Sequence, residues 1–179
     1  MDKSLLRKQV IDFRNSMNKH EKDEKDYRIF HKLIYSEKYI KSRTVLVYVS
    51  GDIEVDTRRI INDAFKSDKT VAVPRCDTKR NEINFFIINS FDDLEKGYCS
   101  ISEPKKYCKK ALINDECLCI VPALAVDRYG FRLGFGKGYY DRFLSVNNVI
   151  SVCLCYSGNI FDRVPTDSFD KAVDFVISD

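Results

Sequence analysis

Two β-branched runs, Thr44–Val49 and Thr70–Pro74, flank a helical pattern of Ile60, Ile61, Ala64 and Phe65. Strand, helix and strand within about 30 residues make a βαβ unit, whose strands run parallel and whose crossover should be right-handed. Strands that read as unbroken apolar runs are buried on both faces, so helices must cover them. Asp56 or Thr57 is the expected cap of the intervening helix. This unit commits the chain to an α/β fold. Further strands are expected at Glu82–Ile88, at Cys117–Val121, which Pro122 stops, at Val149–Tyr156 and at Asp174–Ile177, with a helix from about Tyr139 to Leu144. The alternation predicts a mainly parallel sheet, and 179 residues are the size of one domain.

Ahead of the sheet, Leu6, Val10, Phe13 and Met17 recur at helical spacing, with Lys3, Arg7, Lys8 and Arg14 among the other positions. Lys3 and Arg7 lie one helical turn apart on one face, which is either an ordinary solvated basic face or a pair able to reach one anion. Asn18 followed by Glu21 opens a second helix, with Tyr27, Phe30 and Ile34 as its apolar face and the charged run Glu21–Asp26 in solvent. His20 and His31, the two histidines, have no nucleophile or ligand set around them.

Composition narrows the classes. With 44% apolar and 32% charged residues the chain is neither disordered nor a membrane protein, and no apolar run reaches the roughly 20 residues of a spanning helix. The polar start lacks the apolar stretch of a signal peptide, so the cytosol is the expected location. A net charge of +3 over 30 basic and 27 acidic residues implies no field for nucleic acid or membrane. Seven cysteines without a CxxC pair argue for reduced thiols. Cys117 and Cys119, like Cys153 and Cys155, should point to one face of their strands as small core hydrophobes.

The chemistry concentrates in Arg132–Asp141, where Gly134, Gly136 and Gly138 alternate around Phe135 and Lys137. Glycines let the backbone turn its N–H groups toward an anion, and the helix that follows aims its positive dipole end at the same place. The spacing fits neither a Walker A loop, which needs a hydroxyl after the lysine, nor a dinucleotide loop, in which the third glycine comes one residue later. Asp141 stands where it either caps the helix or holds Mg²⁺ beside phosphate. Tyr139 and Tyr140 offer rings and hydroxyls to an aromatic ligand or to the core. Glu54, in the loop after the first strand, falls where open α/β sheets bind ligands. Lys105, Lys106, Lys109 and Lys110 form a basic knot, either a solvated loop or a contact for an acidic ligand tail.

Val121–Leu144 resembles the long pattern VPxLAxD, xxGxRLGxGxGYYDRxL of the 5-formyltetrahydrofolate cyclo-ligase family, also called 5,10-methenyltetrahydrofolate synthetases. The resemblance extends over Lys3 and Leu6–Lys8, Glu54–Thr57, Ala72–Arg75, Ile101–Pro104 and the aspartates Asp170 and Asp174. It implies a three-layer α/β/α Rossmann-like single domain over residues 1–179, NagB/RpiA/CoA transferase-like, that cyclises 5-formyltetrahydrofolate to 5,10-methenyltetrahydrofolate with ATP and Mg²⁺. By the same resemblance Lys3, Arg7, Arg132, Leu133, Gly134, Phe135, Gly136, Lys137, Gly138, Tyr139 and Tyr140 meet ATP. Arg7, Val49, Glu54 and Phe135 through Tyr139 meet the folate, Lys137, Tyr139 and Arg132 are catalytic, and Asp141 and Asp170 hold the metal. A monomer or weak dimer is implied, without nucleic acid or membrane. The departures are Ala123, Phe169, Phe135 and Cys99, which stand where the family has glycine, a polar residue, Arg, Gln or Tyr, and an aromatic. A non-catalytic small-molecule or sugar-phosphate binding domain of the same architecture is the alternative.

Overall fold

The computed structural model describes residues 2–97 and 101–179, so the departure at Cys99 lies outside the described residues. Three helices, α1 (Lys3–Ser16), α2 (Lys19–Ile34) and α3 (Glu37–Lys41), precede β1 (Thr44–Val47). α4 (Arg58–Lys66) leads to β2 (Thr70–Asp77), which turns back into β3 (Glu82–Ile88). The antiparallel pair β4 (Leu94–Lys96) and β5 (Ser102–Pro104) comes before β6 (Cys117–Pro122) and two small strands, β7 (Ala125–Asp127) and β8 (Arg132–Leu133). α5 (Tyr139–Val146), β9 (Ile150–Leu154), β10 (Ile160–Phe161) and β11 (Phe175–Ile177) complete the chain.

The main sheet has the order β11-β9-β6-β1-β2-β3 and is parallel except for β3. A parallel return needs a crossover of a dozen or more residues, and the turn after Asp77 is far shorter. Asp77 shapes that turn, its Oδ1 accepting from the Lys79 and Arg80 N–H groups. A second sheet, β10-β7-β8, stands beside the first and leads into the glycine stretch.

Strand residues alternate between two apolar layers. Val45, Val47, Val71, Val73, Leu118 and Ile120 pack with Ile29 and Leu33 of α2 and with Ile60, Ile61 and Ala64 of α4. Leu46, Ala72, Cys117, Cys119, Cys153 and Cys155 face the other way, with Phe143 of α5. Both cysteine pairs thus lie on one face of their strands, and burial pushes the Cys119 and Cys153 thiols well above their ordinary range. Such thiols are packing groups.

Several local readings change. On α2 the buried residues are Asp26, Ile29 and Leu33, whereas Tyr27 is 54% exposed. The stripe turns this way because Asp26, expected in solvent, is drawn inside by the Tyr156 hydroxyl at 2.8 Å and the Asp56 N–H at 3.1 Å. On α1 Arg14 is buried with Leu6 and Val10, while Phe13 is 41% exposed. β1 stops before Tyr48 and Val49, which stay buried, and β2 runs on to Asp77 because β3 pairs with it throughout. Asp174 lies just before β11, where its carboxylate accepts from the Ser151 N–H and hydroxyl at 2.8 and 2.6 Å. Thr57 caps α4 by position only, since its hydroxyl donates to Tyr48 O at 2.6 Å and Asp56 Oδ1 takes the Arg58 N–H.

Candidate functional site

Leu6 and Val10 bury α1 against Leu124, Ala125, Leu133 and Val164 around the small sheet. That contact fixes the helix, and with it the direction of Lys3 and Arg7. Arg7 reaches the glycine turn, its Nε donating to Gly134 O at 2.8 Å. A Cβ on Gly136 would stand 3.3 Å from the Arg7 guanidinium, and Gly136 has φ +95°, so side-chain room and backbone conformation both call for glycine. Lys3 bridges Asp167 and Asp170, each at 2.6 Å. Burial works against its charge, but the two carboxylates outweigh it and hold the ammonium above its ordinary value. Phe169, one of the departures, lies 5.9 Å from the same ammonium.

The turn ends at Gly138, the N-cap of α5, with φ +65° and no side-chain cap. The first N–H groups of α5 therefore point outward with the helix dipole behind them. Arg142 braces the turn by donating to Lys137 O at 2.8 Å and to Asn81 O at 2.5 Å, with the Tyr139 ring 5.3 Å from its guanidinium. Lys137 itself is exposed, and its ammonium has no ion pair among the described residues. Phe135 is 52% exposed, and Leu133 turns its side chain into the core.

Asp141 and Asp170 come from opposite sides of one clasp. Asp141 Oδ1 accepts from the Lys171 N–H at 3.1 Å and pairs with Arg132 Nη2 at 3.2 Å. Arg132 also donates to Lys171 O at 2.7 Å, and its side chain is only 4% exposed. Its guanidinium is thus committed to orienting Asp141 and the chain beside Asp170. Among the described residues no three carboxylate, cysteine or histidine groups converge as a complete metal cage.

On the far side, Glu54 Oε2 accepts from the Gly51 N–H at 2.8 Å. Burial raises the Glu54 carboxyl above its ordinary 4.5, while the Gly51 hydrogen bond and the charges of Arg14 and Lys22 pull it down. Behind burial, the Glu54 charge is among the groups that push up the phenols of Tyr48 and Tyr140. The Tyr140 hydroxyl is buried with no hydrogen-bond partner among the described residues. Buried polar groups are nearly always paired, so this phenol is an exception. Val49 is 7% exposed at the end of β1.

The structure therefore gathers Lys3, Arg7, Gly134 through Tyr140, Asp141 and Asp170 around one turn. Asp167 was not legible in the sequence, since only folding brings it to Lys3. Nor was the role of Arg14, although its place seven residues beyond Arg7, on the same helical face, is the signal that could have found it. In the basic knot, the Lys109 backbone O accepts the Ile87 N–H and covers the edge of β3. Two open hollows of about 420 Å³ are bordered by neither Glu54 nor the glycines of this turn. Gly136→Ala is expected to push Arg7 aside and weaken tripolyphosphate binding about fivefold, by calorimetry; unchanged affinity would separate Arg7 from anion binding.

No helix among the described residues is long and apolar enough to cross a membrane. Residues 1–179 match the model of the 5-formyltetrahydrofolate cyclo-ligase family. A probable 5-formyltetrahydrofolate cyclo-ligase of Caenorhabditis elegans is 28% identical over 98% of this chain and 91% of its own. The 5-formyltetrahydrofolate cyclo-ligase of Mus musculus is 30% identical over 82% of this chain and 78% of its own. Among solved structures, the 5,10-methenyltetrahydrofolate synthetase of Aquifex aeolicus superposes with a TM-score of 0.84 at 31% identity, covering 99% of this chain and 89% of that one. The synthetase of Mycoplasma pneumoniae shares the fold, with a TM-score of 0.75 at 23% identity over 99% of both chains.

Proposed function

This chain belongs to the 5-formyltetrahydrofolate cyclo-ligase family and is an enzyme of it, and on that premise we propose that residues 1–179 form one domain that closes 5-formyltetrahydrofolate to 5,10-methenyltetrahydrofolate at the expense of ATP. The observation that carries the ATP reading is the approach of Arg7 to the Gly134–Gly136 turn, with Lys3 on the neighbouring aspartates. Cations from one end of the chain and the positive helix end from the other then serve one polyphosphate.

A formamide carbonyl is a weak electrophile, so its oxygen first takes the γ-phosphoryl group and ADP departs. N10 then attacks the activated carbon and gives up its proton, and phosphate leaves with the former formyl oxygen. Transfer of this kind asks mainly for positioning and charge neutralisation. Lys137 and the first N–H groups of α5 take the phosphates, Arg7 holds the turn beside them, and Tyr139 stands next to the reacting groups. Arg132 acts on the same centre through Asp141. Asp141 and Asp170 fit Mg²⁺, which prefers one or two carboxylates with phosphate oxygens and water. When bound, the ion supplies further neutralisation of the transferring phosphoryl group. Arg132 and Lys3 hold these carboxylates in place until then.

Glu54 accepts hydrogen bonds from the N–H groups of the pterin ring, and the unpartnered Tyr140 hydroxyl offers a second contact. Val49 supplies an apolar wall. The test mixes the purified protein with ATP, Mg²⁺ and 5-formyltetrahydrofolate and follows the methenyl chromophore. One ADP per product is expected, and absence of ATP-dependent product overturns the reading.

A further inference from the structure

The loop that carries Glu54 is held, residue by residue, by side chains from elsewhere. Ile53 O accepts from Arg14 Nη1 at 3.2 Å, and Val55 O accepts from the Tyr48 hydroxyl at 3.2 Å. The Tyr156 hydroxyl shares its proton between Asp26 Oδ1 at 2.8 Å and Glu54 O at 3.2 Å, and Asp26 Oδ1 also takes the Asp56 N–H at 3.1 Å. Four consecutive residues are thereby fixed without a strand or helix of their own.

Arg14 stands out among these groups. It is 4% exposed, and its other nitrogens donate to Ala123 O at 2.8 Å, Leu124 O at 2.7 Å and Asn159 Oδ1 at 3.1 Å. Its guanidinium lies 5.1 Å from the Tyr156 ring centre, and it has no carboxylate partner among the described residues. Burying a cation against neutral acceptors alone is expensive, and an apolar residue would brace a helix at less cost. The charge and the fork of donors therefore serve something besides packing. Arg14 shares its helix and its face with Arg7, and it meets the chain on both sides of the site: Ile53 precedes Glu54, and Leu124 pairs with Leu133 just before the glycine turn.

We propose that Arg14 is a positioning residue that locks the helix bearing Lys3 and Arg7 to the loop bearing Glu54, setting the distance between the phosphate and folate halves of the site. The inference rests on the assignment of Glu54 to the folate made above. The charges that face Glu54 sharpen the test: Arg14 from α1 and Lys22 from α2 hold its carboxyl down against burial, with the Tyr48 and Tyr140 phenols on the other elements. Lys22 is itself paired with Asp26 at 2.7 Å. Loss of the Arg14 charge lets burial raise Glu54 further.

The experiment compares wild type, Arg14→Met, Arg14→Lys and Glu54→Gln for the KM of each substrate, the pH profile of kcat/KM for 5-formyltetrahydrofolate, and thermal melting. Arg14→Met is expected to raise both KM values about tenfold and to move the acid limb of the profile to higher pH. Arg14→Lys keeps the charge but cannot span the same acceptors, so both KM values rise while the limb stays. A purely structural role would lower the melting temperature and the active fraction and leave KM and the limb alone; that result overturns the proposal. If Arg14→Met does not fold, Arg14→Lys decides, and unchanged KM values for both substrates overturn it. Glu54→Gln without effect on folate KM removes the assignment of Glu54 and this inference with it. Weakened folate binding in Glu54→Gln beside unaltered Arg14 variants removes the role of Arg14 alone.

Discussion

Asp141→Asn is expected to lower kcat about 100-fold and to move Mg²⁺ activation to roughly tenfold higher concentration. The substitution keeps the shape of the side chain, and its amide oxygen can still accept the Lys171 N–H that now reaches Asp141 at 3.1 Å. It removes the charge that pairs with Arg132 at 3.2 Å and that the proposed Mg²⁺ site would use. Because the Arg132 side chain is 4% exposed, its guanidinium is left short of a counterion, and the melting temperature should fall by a few degrees without loss of secondary structure. Metal titration of turnover beside circular dichroism separates the two effects. A Mg²⁺ curve identical to wild type would take Asp141 out of the metal site and leave it as the anchor of Lys171.

Glu54→Gln should raise the KM for 5-formyltetrahydrofolate about 30-fold and leave that for ATP unchanged, since a hydrogen bond to a charged group contributes roughly 1.5–3 kcal/mol. Stability moves the other way. Burial holds the Glu54 carboxyl above its ordinary 4.5, so the folded chain binds this proton more tightly than the unfolded chain does. Stability from this group is therefore lost as pH rises above 4.5, and at neutral pH the buried charge is a net cost. The glutamine variant is expected to melt about 2 °C higher than wild type at pH 7, with the gap closing below pH 4.5. A variant that binds ATP less well and folate normally would contradict the assignment. Stability given up at a binding carboxylate is a usual feature of functional sites.

How far these residues could be read in advance depends on what kind of information they carry. The pair β1 and β2 with α4 between them was legible because strand and helix announce themselves in short-range periodicity. β3 was legible as a strand, and its direction was too, had the short turn after Asp77 been weighed. The glycine turn was legible because three residues without a Cβ have few other uses at that spacing, and Gly136 and Gly138 do adopt positive φ. Arg14, placed off the apolar positions of its helix, and Asp26, expected in solvent, are both buried, and one reason hid this from the sequence. Charged residues on helices are mostly exposed, and the partners that bury these two, Leu124, Asn159 and Tyr156, lie more than a hundred residues away.

By itself the sequence determined the α/β class, the positions of the main strands, the faces of the cysteine pairs, the glycine turn and the family. All of these rest on backbone conformation, side-chain alternation or residue order, which are local properties of the chain. Only the tertiary structure decided which charge meets which: Lys3 with Asp167 and Asp170, Arg7 with the turn, Arg132 with Asp141, Arg14 with the Glu54 loop. Ion pairs and buried hydrogen bonds depend on distance and on exclusion of water, and both are set by how remote segments pack. The same packing leaves the Lys137 ammonium and the Tyr140 hydroxyl without partners among the described residues, one in solvent and one buried, on the helix start that the sequence had already marked.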